Sequence, residues 1–201
     1  MYINGAKGGS LIRGFLGFLT ASVRWKFLTL LNLSFFGCVF ITALSAGLLF
    51  PCPLYSGARP TTEIFPRDAF LMILGIFFSN LVLSAFIFVT LPGIVFFPLS
   101  IILLLFRAVL WGLEQYFSPT WLFLVSLPTL VLEGEAYVFA AEAGIIAGVS
   151  WIKPRWIYPN EDVSRIESFK RASKECLRLY ILVAVFLFLA AVVEMVTISM
   201  I

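Results

Sequence analysis

Histidine is absent from this sequence of 201 residues. It is the usual general base beside a serine or cysteine nucleophile and a common zinc ligand, so sites of those kinds are not expected. The net charge of only +3 gives no basic surface for nucleic acid. An intramembrane aspartyl protease needs two aspartates within its spans, and Asp68 and Asp162 both fall outside the spans predicted below. We therefore predict a protein that is not an enzyme, needs no cofactor or metal and binds no nucleic acid.

Charged residues are also scarce, at 12% of the chain against 61% hydrophobic residues. An ordinary soluble domain carries about 25% charged residues, and about 20 apolar residues in a helix cross a bilayer. We predict an all-α fold, a polytopic membrane helix bundle that forms one integral membrane domain over residues 1–201. Its spans are predicted near 27–50, 69–91, 94–116, 119–148 and 179–201, with a tight turn at 91–93 between the second and third.

Residues 9–26 precede the first span and carry apolar residues at helical spacing, which predicts an amphipathic helix lying in the membrane interface. An alternative is the frayed start of a longer first helix. A cleavable signal peptide is a further alternative, but the hydrophobic run is long and far from the terminus, so we expect an uncleaved anchor.

The basic residues predict the orientation of the chain in a cell membrane. They concentrate before the first span and in the loop and helix over 149–178, whereas the first loop has only Arg59 and Arg67. The positive-inside rule then predicts a cytoplasmic N-terminus and an outer C-terminus. Within the cytoplasmic segment, the polar helix over 161–174 is the expected surface for protein partners.

Polar side chains lie deep within several of the predicted spans, where a charge costs about 2.5 kcal/mol or more and needs a partner. At about 1.5 Å per helical residue, Asn80, Arg107, Glu133 and Glu135 each lie near the middle of their spans. Arg107 is expected to pair with either Glu133 or Glu135. These two glutamates project about 200° apart from one helix, so they cannot both reach it. The predicted buried polar centre comprises Asn80, Arg107, Glu133, Glu135 and Glu142.

Three interpretations of this centre remain open. It is a structural ion pair with a hydrogen-bond cluster that fixes helix packing, or an ion or proton path that uses an unpaired carboxylate. In the third, one carboxylate is held neutral by desolvation. Glu194, in the fifth span, is interpreted as a near-interface residue that reaches outer water.

Small residues recur every four positions in the fourth span, at Ala136, Ala140, Gly144 and Gly148. Such a ladder lets a second helix backbone approach closely. It predicts helix packing either within the chain or across a dimer.

Two patterns stand out between residues 70 and 150. The first combines Asn80, Gly93 and an Arg-Ala-x-x-x-Gly segment over 107–112; the second is Pro-x-x-x-x-Glu-x-x-Ala over 128–136. Both resemble segments of the stage II sporulation protein M family, multi-pass membrane proteins of bacteria and archaea. Thr129 and Leu130 stand where that family has a histidine and a glycine, so no role of that histidine is expected here.

The resemblance implies a five-span membrane fold. The sporulation member is understood as a platform that recruits cell-wall hydrolases, which implies a non-catalytic scaffold or assembly subunit. Its expected partners are the lipid bilayer and either other proteins or further copies of the chain. The alternative is a small permease or channel in which Glu135 or Glu142 handles a cation or proton.

Overall fold

The computed structural model describes residues 17–18, 21–50, 66–118, 120–159 and 161–200. These residues are almost entirely helical and include no strand. Five helical stretches among them are long and apolar enough to cross a membrane, which confirms the all-α polytopic bundle. In chain order the elements are α1 (Trp25–Leu49), α2 (Pro66–Phe78), π1, a π-helix (Ser79–Thr90), α3 (Leu91–Val95), α4 (Pro98–Phe117), α5 (Thr120–Ile152), α6 (Pro154–Ile157) and α7 (Arg165–Met200).

The second span is one continuous helical path through α2, π1 and α3. The turn predicted at 91–93 instead follows α3, where Phe96 is extended. Pro92 lies where the hydrogen bonding changes from π to α, in the first turn of α3. A proline in a continuous helix removes one backbone hydrogen bond, and here it does so where the bonding pattern already changes. The next helix, α4, begins at Pro98, where no helical turn precedes it and the missing N–H of a proline is not required.

The last helix joins the predicted cytoplasmic helix to the fifth span without interruption. It begins at Arg165, four residues later than the predicted start at 161. The Ser164 hydroxyl accepts a hydrogen bond from the Glu167 N–H at 3.3 Å. This is one half of a Ser-x-x-Glu capping box, and it satisfies an N–H at the helix start.

The centre of the bundle is α5, which packs against α1, π1, α3, α4, α6 and α7. It continues through Pro128 without a break, and every residue from 136 to 150 is buried. A side chain at Gly144 would overlap Ser100 and the backbone of Thr90, and one at Gly148 would overlap the backbone of Gly93. The small-residue ladder therefore packs within the chain, against α3, α4 and the end of π1.

The outer surfaces of the spans carry large apolar side chains such as Leu33 and Leu48, which are 70% and 77% exposed. Such surfaces suit contact with lipid.

The predicted interfacial helix over 9–26 lies mostly outside the described residues. Within it, residues 17–18 are helical and 21–24 are not, and α1 begins at Trp25. Cys38 and Cys176 are free thiols.

Candidate functional site

Glu133, on α5, is an acid of the predicted polar centre that faces a cavity, and it is only 8% exposed. The Asn80 side-chain amide donates a hydrogen bond of 2.7 Å to its Oε1. Asn80 lies in the first turn of π1, directly after the change from α to π winding. Such winding is rare and is often found at functional sites, since it shifts side chains away from α-helical positions. Asn80 and Glu133 are therefore brought together as one pair.

Two cavities meet at Glu133. A cavity of about 160 Å³ lies between α4, α5 and α7, and another of about 410 Å³ lies between α2, π1, α5 and α7. Glu133 and Glu194 line both cavities, and Glu114 lines the first. We call the two cavities with these three glutamates the acidic crevice.

The acidic crevice includes Glu114, in the last turn of α4, and Glu194, near the end of α7, and so extends toward the end of the bundle opposite the basic residues. Exposure falls along it, from the exposed Glu114 to the partly buried Glu194 and the buried Glu133. Gln115 Oε1 and Thr129 Oγ1 are buried in its wall and have no hydrogen-bond partner among the described residues. The crevice therefore combines acidic groups with unused hydrogen-bonding capacity.

Arg107 lies beside Tyr137 rather than beside a carboxylate. Its Nη2 donates a hydrogen bond of 2.8 Å to the Tyr137 hydroxyl. Its guanidinium carbon is 4.1 Å from the centre of the Tyr137 ring and 5.5 Å from that of Trp111. No ion pair among the described residues includes Arg107. The predicted pairing with Glu133 or Glu135 is replaced by a cation–π contact, because the fully buried Tyr137 ring occupies the space next to the guanidinium.

Glu135 faces a different helix from Glu133, as their angular separation predicts. Its Oε2 accepts a hydrogen bond of 3.2 Å from the side-chain amide of Asn32 on α1. Asn32 Oδ1 is buried with no hydrogen-bond partner in the described part of the chain. Sequence reasoning missed Asn32, although a lone amide in an apolar span is itself a signal of an interhelical hydrogen bond.

Glu142 belongs to the opposite, basic end of the bundle. It is fully buried, and its Oε1 accepts a hydrogen bond of 2.8 Å from the backbone N–H of Arg24. Its Oε2 has no hydrogen-bond partner among the residues described. The Arg24 guanidinium lies 3.7 Å from Glu175, which also accepts a hydrogen bond of 2.9 Å from the Tyr158 hydroxyl. Burial, and then this bond to a carboxylate, raise the pKa of Tyr158 above its ordinary value.

The predicted polar centre is thus divided among separate places in the bundle. Asn80 and Glu133 form one pair, Glu135 bonds to α1, Glu142 closes the basic end, and Arg107 lies against Tyr137. Neither cavity of the acidic crevice is lined by Glu135 or Glu142. Within the described residues, no group of three His, Cys, Asp or Glu side chains is arranged to hold a metal ion.

The fold and these polar contacts define a polytopic α-helical membrane protein with a small-residue core and an acidic crevice. Residues 27–197 match the family model described as SpoIIM, Stage II sporulation protein M. The chain belongs to this family, and the match extends beyond residues 70–150 on both sides. No curated protein and no solved structure matches the chain.

Proposed function

We propose that this chain is a non-catalytic scaffold or assembly subunit of the cell membrane. The supporting observation is the uninterrupted burial of residues 136–150 at the centre of the bundle. In this stretch Gly144 and Gly148 lie against backbone and Ser100 so closely that no added methyl group fits. A tightly packed core suits a part that holds a fixed shape, because interiors at this density resist deformation.

The surface offered to protein partners is the first part of α7, over 165–174. Ser168 and Ala172 are fully buried against the bundle, whereas the charged residues around them are exposed. Arg171 hydrogen-bonds to Glu161 and to Glu167, which ties the preceding segment to the helix. The result is a helical projection with a fixed base and a charged outer face.

Site-specific photo-crosslinking in native membranes tests this role. A photoreactive residue at Arg165, exposed on this projection, is expected to give one discrete protein adduct. The same residue at Leu33, which is 70% exposed on α1, is the control for lipid-facing positions and is expected to give none. Equal adducts at both positions, or none at Arg165, would contradict the scaffold role.

A permease or channel for a cation or proton is the second candidate, and the acidic crevice favours it. The carboxylates concerned would be Glu133 and Glu194, which line both cavities, rather than Glu135 or Glu142. Flux of protons and monovalent cations into liposomes containing the purified chain separates the two functions. The scaffold role predicts no flux that depends on these carboxylates. Flux that is lost in Glu133→Gln and kept in Glu135→Gln would establish transport instead.

A further inference from the structure

A long apolar groove runs along the lipid-facing side of the bundle between π1 and α7. One part, of about 690 Å³, is lined by residues that include Leu81, Ala184 and Phe188. A second part, of about 370 Å³, continues it to Phe169 and Ser173. The two parts share three lining residues, Phe86, Leu177 and Tyr180. The groove therefore extends from within the membrane to the basic end of the bundle.

The floor of the groove is held by hydrogen bonds. The Tyr180 hydroxyl bonds to Thr90 Oγ1 at 2.6 Å, and Thr90 Oγ1 donates to the Ala140 carbonyl at 2.8 Å. The rings of Phe86 and Tyr180 meet edge to face, with centroids 6.0 Å apart. The groove is thus a preformed feature of the packed bundle.

Two lysines stand at the basic end of the groove. Lys170 and Lys174 are exposed, and no ion pair among the described residues includes either one. At about 100° per helical residue, they project on the same side of α7 as Leu177 and Ile181, which line the groove. Arg171, one position away from this side, is neutralised by Glu161 and Glu167.

We propose that this groove is a binding site for one anionic phospholipid. An acyl chain occupies the apolar groove, and the negatively charged headgroup contacts Lys170 and Lys174. Lys174 and Leu189 are separated by about 22 Å of helix, somewhat more than one leaflet of a hydrocarbon core about 30 Å thick. Basic residues at the membrane surface above a gap between helices are a recognised form of headgroup recognition.

Charge favours a lipid over a second copy of the chain. A two-fold axis normal to the membrane brings the same residues of both copies together at the same depth. A dimer through this face would place four lysines near one another, and Glu167, the acid one turn before Lys170, is already paired with Arg171. An anionic headgroup neutralises the same two lysines.

Native mass spectrometry of the full chain in detergent, with equal phosphatidylglycerol and phosphatidylcholine, tests the proposal. The natural chain is expected to retain one phosphatidylglycerol in preference to phosphatidylcholine. Lys170→Gln with Lys174→Gln is expected to weaken that binding about thirtyfold, from the attraction of two surface lysines to anionic lipid. The control, Lys26→Gln with Arg165→Gln, removes the same charge from exposed positions away from the groove and is expected to change it less than threefold.

A second pair of variants tests the apolar part of the site. Ala184→Phe fills the groove and is expected to abolish the one-to-one lipid adduct. Ala43→Phe, at a similarly half-buried alanine on α1, is expected to retain it. The proposal is overturned if the natural chain shows no preference for the anionic lipid, or if the lysine variant behaves like its control. It is also overturned if Ala184→Phe keeps the adduct or dissociates a dimer of the chain.

Discussion

Over residues 122–134, most side chains of α5 are exposed or partly buried and the stretch borders the acidic crevice, whereas over 136–150 every residue is buried. The first part contains large apolar and hydroxyl residues, and the second is rich in alanine and glycine. Small side chains let the neighbouring backbones approach, which removes space for water or ligand. One helix thus combines a more exposed half that borders the crevice with a tightly packed structural half, and the two halves differ in side-chain size.

The comparison is tested most strongly by adding a methyl group to the packed half. Gly144→Ala places a carbon atom against Ser100 and the Thr90 backbone, so we expect a loss of about 3 kcal/mol in the free energy of unfolding. Gly37→Ala is the matched control, because nothing lies within 4 Å of its added carbon. Thermal unfolding in detergent measures both variants. Equal melting temperatures for the two would show that the close approach is not a stabilising feature.

A change in the crevice half is expected to be less costly. Asn80→Leu removes the amide that donates to Glu133. A buried carboxylate is then short of a hydrogen bond, so we expect the free energy of unfolding to fall by about 2 kcal/mol. Asn80→Gln retains an amide and serves as the control. The same unfolding measurement applies. If the leucine variant is as stable as the natural chain, water in the crevice already satisfies Glu133.

Arg107, on α4, contacts α5 at Tyr137, where the two halves of α5 meet. Double-mutant cycles can identify its partner. Arg107→Gln removes the guanidinium and Tyr137→Leu removes the aromatic ring. We expect the cycle of these two variants and their double variant to give a coupling energy of about 1.5 kcal/mol. The corresponding cycle of Arg107→Gln with Glu133→Gln is expected to give a smaller value, because no ion pair joins these residues. A larger coupling with Glu133 would restore the ion pair expected from the sequence.

Much of the architecture was predictable because a membrane span depends mainly on the composition of one segment. The five crossings and the family required no knowledge of which helices are neighbours. The site depended on that knowledge. Asn80 and Glu133 were recognisable as polar groups at one depth, but whether Arg107 would meet a carboxylate or a ring depended on helix rotation.

Some features carried local signals that were passed over. The Ser-x-x-Glu pattern at Ser164 marks the start of α7. Tyr137 lies one turn after Glu133, and its ring can form a cation–π contact with a cation at that depth. Asn32 is a lone amide in the first span. The π winding of Ser79–Thr90 had no such local signal in the sequence.

The smallest expected effect concerns Tyr158, outside the spans at the basic end. Burial and the bond to Glu175 raise its pKa, so the folded state favours the protonated phenol. Its contribution is therefore complete below the unfolded pKa of about 10 and declines as the pH rises beyond that value. Tyr158→Phe is expected to cost about 1 kcal/mol at neutral pH, because the half-exposed hydrogen bond to Glu175 is lost. Unfolding measured from pH 7 to 11 should show the two chains converging in alkali. A constant difference across that range would mean that folding does not raise the pKa of Tyr158, and equal stability at pH 7 would mean that the bond to Glu175 does not stabilise the basic end.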